Sequence, residues 1–330
     1  MKVLAPASSA YEAGALISAG AEELFCGLHP GAWKSRHGGE VWLNRRGPGA
    51  ANIESMEELK KLAETAHSRG VPVFLTLNLP FYHPDHYPEI ISLAGGVIDS
   101  RSADALIIGD PGMILAVRES LPDAAIHVSS LAPVLNSSAA SFFRVLGAAR
   151  IIFPRYVDLE DIRVIMDKAG RDMEYEVFIL NDGCVFEEGY CLASHAFGGA
   201  FCHRPWFYRL AGEEDGQAST AKEPFWHHLR DYQKWLWCVK NCGGGPGPGG
   251  HPLGMCGLCA LPELHAMGVA SVKIVGREAP LPRKIASVRL VRRVLDCVRA
   301  GQDPETVKRQ AKKIRSTPHL CASGYMCYFR

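Results

Sequence analysis

The chain has 330 residues, 47% of them hydrophobic, with 36 Lys and Arg against 35 Asp and Glu for a formal charge of +1. That length suits one large domain or two small ones, and the apolar content is enough for a substantial core. The near-neutral charge excludes a binder that relies on a strong overall basic field, and no apolar run reaches the length of a membrane span. The opening MKVLAPASSAYEAG carries no long apolar segment of the secretory kind, so a cytoplasmic location without membrane partners is expected.

Short apolar or β-branched runs recur at 3–6, 23–28, 71–77, 105–109, 125–128, 150–154, 175–180 and 271–276. Most are continuously apolar, as in strands covered on both faces. Helix starts fall between them. Ser9 with Glu12, and Ser55 with Glu58, read as capping boxes. Asp158 opens DLEDIRVIMDKAG, which Gly170 can end. Helices are predicted at 10–19, 56–69, 111–120, 137–146, 159–169, 260–268 and 281–300. Eight strands alternating with helices predict an α/β protein, a (β/α)8 TIM-like barrel forming one domain over 1–330. An open doubly wound sheet is the alternative.

One connection breaks the rhythm. About ninety residues separate the seventh strand from the eighth, too many for an ordinary loop. This insertion, at 181–259, holds seven of the eleven cysteines and the turn-rich GGGPGPGG at 243–250. In a barrel it follows a strand and so lies at the C-terminal face, where active sites sit. Three cysteines, Cys184, Cys191 and Cys202, fall within nineteen residues, and Cys259 closes CGLCALPEL downstream. A cytosolic chain has little use for such a group as disulfides, whereas thiolates around a loop suit an iron–sulfur cluster or a tetrahedral zinc. Spacing alone leaves iron and zinc open, and leaves Cys256 as an alternative to Cys259. Cys238, Cys242, Cys256, Cys321 and Cys327, the last two in a tail at 318–330, could hold a second cluster or a zinc. Cys26 and Cys297 read as packing residues.

Polar residues at strand ends are expected at the barrel mouth: Asn78, Asp110, Ser129, Ser130, Arg155, Asn181, Lys273 and Arg277. Arg155 and Arg277 suit a carboxylate, because a guanidinium forks onto two oxygens; an internal ion pair with Asp110 or Glu176 is the plainer reading. His127 on the fifth strand and His203 beside Cys202 read as structural groups or as neighbours of the pocket and metal. His227 and His228 fall on an amphipathic helix with Trp226, Trp235 and Trp237, a stripe better suited to packing than to base stacking. Arg45–Arg46 and Arg283–Lys284 are local basic patches. There is no HExxH, GxSxG or Walker motif.

Six segments, LAPASS, GDPGM, IHVSS, FPRYVDLEDI, EGYCLAS and CALPELHAMGVASVKIVGR, occur in an order and spacing that resemble the collagenase-like peptidase family U32. The resemblance implies iron–sulfur proteins on a barrel-like fold, several of which take part in oxygen-independent hydroxylation of ubiquinone precursors or of RNA bases. It implies a [4Fe-4S] cluster on Cys184, Cys191, Cys202 and Cys259. The family's His-Gly pair before the first cluster cysteine is replaced here by Leu180 and Asn181, and Tyr156 stands where an acidic residue usually follows Arg155. The expected function is an iron–sulfur redox or hydroxylation enzyme acting on a small aromatic molecule or an RNA base. A non-catalytic cluster carrier in a hetero- or homodimer, and a peptidase, are the alternatives.

Overall fold

The computed structural model describes residues 1–38, 41–46, 51–184, 188–190, 222–242, 246–247 and 250–329. Its centre is a closed ring of eight parallel strands. β1 (Lys2–Pro6), β2 (Glu23–Gly27), β3 (Val73–Leu77), β4 (Ala105–Ile108), β5 (Ile126–Val128), β6 (Arg150–Ile152) and β7 (Glu174–Asn181) pair in chain order. The eighth, β9 (Ser271–Ile274), joins β7 to β1 and closes the ring. The (β/α)8 barrel expected from the alternation is therefore the fold. A two-residue strand, β8 (Met255–Cys256), lies outside the ring, antiparallel on the end of β7, with Leu180 opposite Cys256 and Asn181 opposite Met255.

The helices, most of them in the outer layer, are α1 (Ala10–Ser18), α2 (Gly31–His37), α3 (Met56–His67), α4 (Tyr87–Asp99), α5 (Pro111–Ser120), α6 (Ser137–Val145), α7 (Leu159–Ala169), α8 (Lys222–Cys242), α9 (Leu261–Met267), α10 (Leu281–Arg299), α11 (Pro304–Arg315) and α12 (Pro318–Ser323), with Cys238 of α8 and Leu320 of α12 packing on the barrel-interior cluster. The sequence signals for their starts act as expected. Ser9, Ser55 and Asp158 accept from the backbone N–H three residues on, satisfying donors a helix leaves open. The Glu12 carboxylate, however, takes the N–H of Ser8 rather than that of the cap residue.

Helix α4 was not predicted. Its segment, YPEIISLAGGVID, has two adjacent glycines, which weaken a helix in isolation. Tertiary packing outweighs that cost, because Gly95 is buried and leaves room for Leu121.

Strand alternation sorts the side chains into two cores. Outward positions, among them Val3, Leu24, Leu75, Ile108, Val128, Ile151, Val177 and Val272, pack under the helices. Inward positions, among them Leu4, Phe25, Phe74, Ile107, Ile152 and Phe178, fill the barrel. The N-terminal end of the barrel is closed by charges. Arg150 donates to Glu23 and Glu176 at 2.9 Å, and Lys273 donates to Glu176 at 2.8 Å. Ser271 adds a 2.7 Å bond to Glu23. Two buried cations meet two buried carboxylates, so the low-dielectric interior carries no net charge from them.

Candidate active site at the barrel mouth

The C-terminal ends of the strands carry a ring of polar groups. Its anchor is Glu188, which is fully buried. Glu188 accepts from Arg155 Nη1 at 2.5 Å, from the Arg155 backbone N–H at 3.3 Å, from Ser130 Oγ at 2.9 Å and from Arg45 Nη1 at 3.4 Å. Burial alone would raise its pKa, but Arg155 and Arg45 hold it below the ordinary carboxylate value. Arg155 lies 3.8 Å from the centre of the Phe178 ring and donates from Nε to the Asp182 carbonyl at 2.9 Å. Burial disfavours its charge, yet Glu188 keeps it more strongly protonated than a free guanidinium. Arg155 is thus committed to an internal ion pair, with Glu188 rather than the Asp110 or Glu176 weighed from the sequence.

Arg277 differs. It is buried, and its donors meet only neutral acceptors: Asn52 Oδ1 at 3.3 Å, Thr76 Oγ at 3.1 Å and Asn44 Oδ1 at 2.8 Å. Among the described residues no carboxylate pairs with it. Burial, reinforced by the charge of Arg46, lowers its pKa to about 10. Gly27 makes this position available, since a Cβ there would lie 1.7 Å from Arg277 Nη1 and 2.2 Å from Asn52 Oδ1. A charged guanidinium held in place by amides and a hydroxyl, with no counter-ion among the described residues, is arranged to receive an anion.

The other predicted mouth residues divide. Asn78 accepts from the Arg45 N–H at 3.3 Å and reaches Ser129 Oγ at 3.5 Å, so both belong to the mouth. Asn181 ends β7 with φ of 81°, a left-handed conformation that asparagine tolerates better than most residues. Its Nδ2 donates to the Val275 carbonyl and Ser287 Oγ, both at 3.1 Å, while its buried Oδ1 has no partner among the described residues.

Asp110 is structural. It caps α5 through the Gly112 N–H and accepts from the Tyr82 N–H and Tyr87 hydroxyl, each at 2.8 Å. Lys273 lies in the barrel interior with Glu176, and not at the mouth, because its place in mid-strand points it into the charged layer below. His127 also lies inside, edge-on to Phe74 with ring centres 4.5 Å apart; burial, then Arg150 and Lys273, hold it neutral.

Sequence reasoning missed Glu188, Asn44, Asn52 and Thr76. Glu188 stands in the EGYCLAS segment, but nothing in the spacing tells which cation it meets. It also missed Tyr328, whose hydroxyl reaches the carbonyls of Asn181 and Asp182 at 2.9 and 2.8 Å and so lays the tail across the mouth. Arg45 and Arg46, read as a local basic patch, prove to be mouth residues, Arg46 meeting Asp182 at 3.2 Å.

Cys184 follows β7 by three residues, is partly buried, and acts electrostatically on Arg155. Cys191, Cys202 and His203 lie outside the described residues. Cys259 sits in the turn after β8, where its electrostatic neighbours include Cys321 and Cys327. From the paired positions Asn181–Met255 and Leu180–Cys256 the two chains run in opposite directions, one toward Cys184 and the other toward Cys259. Cys184 and Cys259 are therefore not brought together by the β7–β8 pairing. Cys238 packs among Met255, Leu320, Met326 and Tyr328, and Cys242 ends α8. Trp235 is buried and Trp237 is largely exposed, so the tryptophans of α8 do not form one packed stripe. No helix among the described residues is long and apolar enough to cross a membrane.

Several relatives of the chain are named for RNA hydroxylation, and another, from Porphyromonas gingivalis, is named collagenase. The chain is 33% identical over 136 residues to the tRNA hydroxylation protein P of Haemophilus influenzae, covering 41% of this chain and 29% of that protein. It is 25% identical over 296 residues to the tRNA hydroxylation protein P1 of Bacillus subtilis, covering 86% and 62%. It is 28% identical over 204 residues to the 23S rRNA 5-hydroxycytidine C2501 synthase of Escherichia coli, covering 62% and 28%. The chain thus spans less than two thirds of the length of each. The family model of peptidase family U32 matches residues 8–330, and the chain belongs to that family.

Proposed function

We propose that this protein hydroxylates an RNA base, or a small aromatic molecule of similar size, in an oxygen-independent redox reaction at the barrel mouth. The observation that carries the reading is Arg277, a buried guanidinium at the C-terminal face whose partners among the described residues are all neutral. It suits the phosphate of a nucleotide or the carboxylate of a small co-substrate. The names of the relatives favour RNA.

A [4Fe-4S] cluster would supply one-electron chemistry to such a site. Cys184 fits a ligand of that group: it is partly exposed, at the mouth, and beside a cation that favours the thiolate. Cys191 and Cys202 would complete a trio from the same connection. Cys259, the fourth expected ligand, has Cys321 and Cys327 of the tail among its electrostatic neighbours. What the chain's own residues do follows from their contacts. Arg277 holds the anionic part of the substrate. The Glu188–Arg155 pair fixes the β7 end and the segment that carries Cys184. Tyr328 covers the mouth and limits water, which strengthens every charged contact beneath it.

The test compares a strain lacking the protein with its parent, grown anaerobically, by mass spectrometry of modified nucleosides and quinones. A hydroxylated nucleoside should be absent from the mutant and restored by the wild-type gene. Arg277→Lys, which keeps charge but loses the planar fork, should restore at least about tenfold less, with iron content unchanged. No change in either pool would leave the cluster-carrier role in a dimer as the better account.

A further inference from the structure

The tail returns to the insertion through a backbone ladder. The Cys256 N–H donates to the Met326 carbonyl at 3.0 Å, and the Tyr328 N–H donates to the Cys256 carbonyl at 3.1 Å. This makes Cys256 and Cys327 bridge partners in a parallel pairing. Strand alternation then sets the directions. Met255, Met326 and Tyr328 pack with the barrel-interior cluster, whereas Cys256 packs with the outer core. Cys327, between Met326 and Tyr328, projects to the Cys256 side.

The turn after β8 brings Cys259 to the same side, where it packs against the outer core. Helix α12 brings Cys321. The thiols lie within electrostatic reach of one another, Cys256 of Cys259 and Cys321, and Cys259 of Cys321 and Cys327. Two cations flank the group, Lys312 and Arg315, both of which act on Cys259. Arg315 also donates to the carbonyls of Leu253 and Gly254, which fixes the approach to β8.

We propose that Cys256, Cys259, Cys321 and Cys327 form a closed tetrathiolate site for one zinc ion, which ties the tail to the β8 turn. The ligands come as a CxxC knuckle and a distant pair, the usual composition of a structural zinc site. Cys256 and Cys259 pack on the side of the outer core, where no open coordination position is needed. Binding would release the thiol protons and leave an anionic site beside Lys312 and Arg315. Among the described residues no three His, Cys, Asp or Glu side chains already close on one point. Ligation therefore requires the thiols to rotate inward, as sites formed together with their metal do. The site takes Cys259 away from the trio of the β7–β8 connection, so its test is separable from that of the cluster.

The full chain, purified anaerobically, is measured for zinc and iron as wild type, Cys184→Ser and the double variant Cys321→Ser/Cys327→Ser. The wild type should hold one zinc per chain. The double variant should lose it and keep its iron, while Cys184→Ser should do the reverse. On the wild type, peptide mapping after alkylation should show these four cysteines reacting at least about tenfold faster once a chelator has removed zinc. That measurement does not depend on the variants folding. Zinc retained in full by the double variant, iron lost from it in place of zinc, or no protection of the four thiols would each overturn the proposal.

Discussion

Arg277 and Gly27 form a pair in which the absence of a side chain at one position creates room for the charge at the other. Gly27→Ala should force Arg277 out of its place over Thr76 and cost about 1–3 kcal/mol, as overpacked sites do. In an Arg277→Met background the same change should cost less, because a flexible thioether can give way. Urea unfolding of the four proteins in the cycle measures the coupling. Equal costs in both backgrounds would show that the guanidinium is not what Gly27 accommodates. At this scale the sequence was informative about type and silent about pairing. Arg155 and Arg277 were equally plausible anion binders by position, yet Glu188 neutralises one and no described carboxylate meets the other. That difference depends on a residue from another connection, which no local pattern reports.

The strands and their charged plug behave as a unit. Glu23 would have its pKa raised by burial, but hydrogen bonds and charge from Arg150 hold it below the ordinary value of 4.5. A carboxyl depressed in the folded state adds stability above the unfolded value, and that stability is lost as pH falls through the folded one. Urea midpoints should therefore drop below about pH 4.5, and Glu23→Gln should flatten that fall. Arg150→Met should cost about 3–5 kcal/mol at neutral pH, since it leaves buried Glu23 without its buried cation and Glu176 with Lys273 alone. A loss under 1 kcal/mol, on the order of a surface pair, would mean that water reaches the plug.

For the molecule as a whole, β9 closes the ring, so the two ends of the chain depend on each other. A chain ending at residue 270 should leave β1 and β7 as open edges and aggregate. A chain ending at residue 317 keeps the ring and should retain its helical circular dichroism and elute as a discrete species, while losing the cover of Tyr328 over the mouth. Size-exclusion chromatography with circular dichroism separates the outcomes. A soluble, helical 1–270 chain would show that ring closure is dispensable.

The sequence by itself determined the barrel. Its strand runs are mostly apolar because each strand faces both a filled interior and a helical layer, and caps such as Ser55 and Asp158 act within three residues of themselves. Local chemistry of that kind survives without knowledge of the fold. It also gave the cysteine-rich connection and the family. Only the tertiary structure decided which groups meet. Lys273 became part of the plug, Arg155 an internal pair with Glu188, and Cys259 an electrostatic neighbour of Cys321 and Cys327 in the tail. Each of these contacts joins residues far apart in sequence, and its partner is chosen by ring closure and strand direction, which spacing along the chain does not encode.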